Sequence, residues 1–167
     1  ISAFIKSMRG SDPDATLYYL ARMLTAGEDI RFIARRIMIA ASEECGVADP
    51  RALEVAVNAA LAVERVGMPE SQIILANAAS NAASAGIFKA MELVQETGNL
   101  EIPSYLKDAH YKSAAKLDHG VGYKYAHDYP NHFVPQQYLP DKIKNVSLFE
   151  MSDVAYEGKL KKYYDMI

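Results

Sequence analysis

At 167 residues, half of them apolar and 23% charged, the chain has the composition of a folded domain with a real core. A net charge of -3 supplies no overall basic field for nucleic acid, and one cysteine, Cys45, excludes an internal disulfide and a cysteine-based zinc site. There is no apolar run of about 18 residues, so no membrane-spanning helix is expected.

The opening, ISAFIKSMRG, lacks both an initial Met and the apolar core of a signal peptide, and it reads as a segment cut from a longer chain. Ser2 to Met8 reads as a short helix ending near Gly10. In the run SDPD, Asp12 is placed to cap, Pro13 suits the first helical position and Asp14 favours the positive end of the dipole. Ala15, Leu17, Tyr18, Leu20, Ala21 and Leu24 then recur at helical spacing, and Gly27 marks the stop. Glu28 and Asp29 open a third helix with the stripe Ile30, Ile33, Ala34, Ile37, Met38 and Ala41, and Gly46 sits past its end. Cys45, on this periodic stretch, is expected to be a buried free thiol.

Asp49-Pro50 repeats the cap-plus-proline device before a fourth helix that Gly67 ends. Leu53, Val55, Ala56, Val57, Ala59, Ala60, Leu61, Ala62 and Val63 make that helix apolar nearly all round, the pattern of a helix buried on several sides. Pro69 opens a fifth helix, residues 87–97 make a sixth, and Pro103 opens a seventh running to about Leu117. Alanine-rich helices joined by short loops predict sequential antiparallel neighbours in a bundle or superhelical stack.

After Leu117 the character changes. Residues 118–147 carry interleaved Gly, Pro and Tyr and predict a long irregular segment. Val146 to Met151 suits a short strand, and Tyr156 to Ile167 a terminal amphipathic helix. The expected organisation is all-α: a helical body over 1–117, and a Tyr- and His-rich strap with a terminal helix over 118–167, packed on the same domain.

All four histidines, His110, His119, His127 and His132, fall around the run HGVGYKYAHDYP at 119–130. Their spacing matches no common ligand pattern, and no HExxH is present, so no metal ligand is assigned. His127-Asp128 are sequence neighbours, which rarely face each other as a base and its orienter, so no catalytic residue is assigned either. Gly120-Val121-Gly122 lacks the third glycine of a dinucleotide loop, and there is no phosphate-binding GxxxxGK[ST]. Tyrosines alternating with lysine suit base stacking and phosphate neutralisation, which makes Lys112, Lys116, Tyr123, Lys124, Tyr125 and His127 candidate contacts for DNA or a partner. The alternative is that the rings pack the loop onto the helices. Arg35 and Arg36, with Leu53, Val57 and Leu61, are candidate interface residues.

The run "SAFIKSMRGSDPDATLYYLARMLTAGEDIRFIARRIMIAASEECGVADPRAL" resembles the region after the ATPase core in the replication-associated recombination protein A family. That family is also called MgsA and includes the Werner-helicase-interacting ATPases. "AVERVGMPE", "IPSYLKDAHYK" and "GYKYAHDYP…QQYLP" continue the likeness, which weakens after Asp141. One departure stands out. Family members usually carry a Pro-Lys-Ser-Asn turn between the helices corresponding to 69–85 and 87–97, whereas Ala85 here passes straight to Gly86-Ile87-Phe88-Lys89.

The resemblance implies a collar-like, all-α oligomerisation domain of a clamp-loader-related AAA+ ATPase acting at replication forks. It implies a homotetramer held by this region, with DNA and replication-fork proteins as partners of the full-length protein and a cytoplasmic, nucleoid-associated location. The Walker motifs, and with them ATP and magnesium, belong to an upstream core. This segment is expected to be non-enzymatic and to hold no cofactor of its own. The alternative it leaves open is a DNA- or partner-binding platform on the 118–138 loop.

Overall fold

Caps and prolines set where the helices begin. The computed structural model describes residues 1–80, 84–109, 114–150, 158, 161 and 162, and across them the chain is all-α. Six α-helices form: α1 Ser2–Arg9, α2 Pro13–Thr25, α3 Ile30–Ala40, α4 Arg51–Val66, α5 Ser71–Ser80 and α6 Ser84–Thr97. Asp12 Oδ1 accepts from the Ala15 N–H at 2.9 Å with Pro13 in the first turn, so α2 starts as its sequence dictates. Asp29 caps α3 through the Arg31 N–H, and the Asp49 carboxylate accepts both the N–H and the guanidinium of Arg51 ahead of α4.

The core is built around α2. Every residue from Ala15 to Ala21 is buried, because α2 packs against α1, α5 and α6 at once. Leu17, Tyr18 and Leu20 meet Phe4, Ile33, Leu75 and Ile87 in a single cluster. α3, α4 and α5 follow as neighbours, as short connections require. Tyr138, Leu139, Ile143 and Leu148 join the same cluster, so the irregular segment seals one side of the helical core.

Several expectations are corrected. No continuous seventh helix runs from Pro103 to Leu117. Single 3₁₀ turns form at Ser104–Leu106 and Ala114–Leu117, and Lys107 is extended. The carbonyls of Tyr105 and Lys107 accept from Lys6 Nζ at 2.9 and 3.1 Å, and this cross-link from α1 takes acceptors a helix would use. Residues 146–150 form no strand, since the N–H groups of Leu148 and Phe149 both go to Asp14 Oδ1. α6 begins at Ser84 and runs unbroken through Ala85 and Gly86, and the α5–α6 junction falls at 81–83, outside the described residues. The expected helix over Tyr156 to Ile167 also lies almost wholly outside them.

Cys45 is exposed, not buried. α3 gives way after Ala40 to a π-helical turn, Ala41–Cys45, and the wider turn carries Cys45 to the surface. Its thiol is still pushed up by partial desolvation and by the carboxylates of Asp49 and Glu44.

Tyr138 explains why residue 10 is glycine. A Cβ there would overlap the hydroxyl and ring of Tyr138, a side chain only 2% exposed and fixed in the core. Gly10→Ala is therefore expected to destabilise the fold by about 2 kcal/mol through overpacking, a fall in Tm of roughly 6 °C. A thermal melt that matched the parent would show that the ring steps aside freely.

Candidate functional site

Two surfaces combine unusual chemistry with a defined position in the fold. The first is α4. It buries one side only, through Ala56 and Val63. Leu53, Val57 and Leu61, spaced by four residues on one ridge, are 41%, 39% and 52% exposed. On another part of the helix Val55 borders a cavity of about 400 Å³ between the α1–α2 turn, the end of α3, the start of α4 and the end of α5. The expectation that α4 is buried on several sides is therefore met on one side only within this chain. Its alanine-rich buried side lets α3 and α5 approach closely, and the larger aliphatic side chains are turned outward.

The two α3 arginines differ. Arg35 is exposed, with its guanidinium carbon 5.9 Å from the Phe32 ring centroid. Arg36 is half-buried, and its Nε finds no hydrogen-bond partner among the described residues.

The second surface is a junction at Glu44. The π-helical turn directs this carboxylate between α1 and the strap. Its Oε1 accepts from Arg9 Nε at 2.7 Å, and Oε2 lies 2.6 Å from His127 Nε2. The Glu44 side chain is 9% exposed, so the contacts are shielded from solvent. Rings extend the cluster: Tyr125 to His127 and His127 to His132 are each 5.1 Å between centroids.

The loop candidates are largely committed to this body. Lys6 Nζ sits 4.6 Å from the Tyr123 ring centroid, and the Arg9 guanidinium 4.9 Å from that of Tyr125. Each cation covers one face of its ring. Burial pushes the Tyr123 hydroxyl up, with Arg9 opposing, and burial followed by the nearby Arg9 charge pulls Lys6 down. Lys124 is exposed, and its N–H donates to Gln136 Oε1 at 2.8 Å. Lys112 and the side chain of Lys116 lie outside the described residues. Gly120, at φ +79°, lets the loop turn where a Cβ would strike Ala109. The residues that the sequence reading missed are Lys6, Arg9 and Glu44. They carry no motif and become visible only when α1, the end of α3 and the strap are brought together. Among the described residues no group of three or more His, Cys, Asp or Glu side chains is placed to hold a metal ion.

A family model described as MgsA AAA+ ATPase C terminal matches residues 10–167. The chain belongs to this MgsA C-terminal family. A replication-associated recombination protein A of Bacillus subtilis is 44% identical over all of this chain and 42% of its own length. An uncharacterised AAA domain-containing protein of Mycobacterium tuberculosis is 51% identical, again over all of this chain and 39% of its own. The ATPase WRNIP1 of Dictyostelium discoideum is 39% identical over 90% of this chain and 18% of its own. The chain thus spans about two fifths of the length of these two bacterial relatives. No helix among its described residues is long and apolar enough to cross a membrane.

Proposed function

We propose that this chain is the oligomerisation module of an AAA+ ATPase that works in replication-associated recombination, holding copies of itself together as a homotetramer without catalysis of its own. The observation that carries this reading is the exposed Leu53–Val57–Leu61 ridge of α4. Three aliphatic side chains on one helix face lose favourable energy by standing in water and regain it against a matching surface. The half-buried Nε of Arg36 on neighbouring α3, without a partner among the described residues, adds a donor that a carboxylate from a second copy would satisfy. Family membership supplies the wider context, since relatives that contain this region carry the names of replication-associated recombination proteins. In this reading ATP and magnesium act in the upstream core, and contacts with DNA and replication-fork proteins belong to the whole protein.

Sedimentation velocity tests the reading directly. At concentrations on the order of tens of micromolar, the range of a stable self-association, the chain is expected to sediment as an oligomer that tends to four copies. A clean monomer over that range would remove the claim that this region drives assembly.

A further inference from the structure

α4 carries charge as well as an apolar ridge, and the charge has an order of its own. Glu54 stands in the first turn and Arg65 in the last, and both are exposed. Arg65 follows Glu54 by 11 residues, three turns and about 16 Å of rise. The two therefore share one edge of the face made by Leu53, Val57 and Leu61, with the neutral Asn58 between them on that edge. Glu64 stands on the opposite edge.

Glu54 and Arg65 are too far apart to meet within one chain. None of the salt bridges among the described residues engages either of them. Each sign suits its own end of the helix dipole. The dipole acts all round the first and last turns, so it does not account for both charges standing beside the apolar ridge.

A second copy of α4 accounts for it. Two identical helices that pair antiparallel about a twofold axis meet like edge to like edge, the first turn of one beside the last turn of the other. Paired this way, Glu54 faces the partner's Arg65, and Arg65 faces the partner's Glu54. The axis passes midway between them, at Ala59 and Ala60, so Val57 and Leu61 of both copies meet around it. The helix dipoles also run in opposite senses, which sets each end beside the opposite pole.

Resting on the reading of α4 as the self-association face, we propose that two copies of this chain pair through α4 as an antiparallel, twofold-symmetric dimer, closed at one edge by two Glu54–Arg65 ion pairs. Four copies form as two such dimers, so a chain that loses this pairing is a monomer. The ridge supplies the apolar area, and the charges fix the direction and register of the pairing.

Sedimentation velocity of charge-reversed chains is the test. Glu54→Arg makes both positions basic and Arg65→Glu makes both acidic, so each variant repels its own copies twice. Each is expected to raise the dissociation constant at least about tenfold. An equimolar mixture of the two is expected to recover assembly to within about threefold of the parent. The chain carrying both reversals should recover equally, because opposite charges face each other again. Recovery on mixing also shows that both variants are folded. Glu64→Arg, on the other edge, is expected to leave the constant unchanged. The pairing is overturned if the parent assembles and both reversals assemble equally well, or if neither the mixture nor the double reversal recovers. Weakening by Glu64→Arg but not by Glu54→Arg would overturn it in favour of a parallel pair, which sets Glu64 beside the partner's Arg65. A parent that stays monomeric would instead remove the reading of α4 as a self-association face, and this pairing with it.

Discussion

Val57→Asp is expected to break the assembly into monomers while leaving the monomer folded. Val57 lies between Leu53 and Leu61 on the exposed ridge, so in a free chain the new carboxylate stays in water. There the substitution costs only the few tenths of a kcal/mol by which Asp is the poorer helix former. In the assembled state it would be buried without a partner and the valine's apolar burial would be lost. Together these cost at least ~3 kcal/mol per interface, more than a hundredfold in dissociation constant. Sedimentation velocity reads the assembly and a circular dichroism melt reads the fold. Val63→Asp is the control, because Val63 is 1% exposed and its replacement should unfold the chain outright. A Val57→Asp protein that still sediments as an oligomer would place the interface elsewhere.

The second large effect is expected at Glu44. Glu44→Ala removes the acceptor shared by Arg9 and His127 and strands a guanidinium that is largely shielded from solvent. Breaking such a pair from one side costs about 3 kcal/mol, or roughly 9 °C in Tm for a chain of this size. His127→Ala should cost only about 1 kcal/mol, because Arg9 and Glu44 still hold each other. The double variant should then melt close to Glu44→Ala alone, since both substitutions remove the same contact. Limited proteolysis should cut Glu44→Ala sooner within 119–132, because His127 no longer ties the strap to the end of α3. Melting within about 1 kcal/mol of the parent would show that the junction does not hold the strap.

The ridge and the junction were unequally visible in the sequence. Leu53, Val57 and Leu61 were legible as an apolar row, because helical periodicity is a local property of the chain. Whether that row faces its own core was not, because burial depends on where α3 and α5 come to lie. α2 carries a similar density of apolar residues, yet it is the helix enclosed on all sides, since it meets α1, α5 and α6. The His-rich run likewise looked like chemistry from its composition. Its histidine proved to be one partner of a carboxylate 83 residues away.

What the sequence determined by itself was local. Asp12 with Pro13, Asp29 and Asp49 start helices, and Gly27 and Gly67 end them, because capping and positive φ are satisfied within a few residues. The change of character after Leu117 was equally plain, since Gly and Pro forbid a long helix there. The tertiary structure alone decided the fate of groups whose partners are distant. Lys6 takes carbonyls of Tyr105 and Lys107 that a continuing α-helix would use, Asp14 denies Leu148 and Phe149 a strand, and Tyr138 makes Gly10 obligatory. A backbone donor or acceptor must be satisfied somewhere, and a side chain arriving from another element can take it before regular structure does. That competition is settled by the packing of the whole chain, and no window of neighbouring residues contains it.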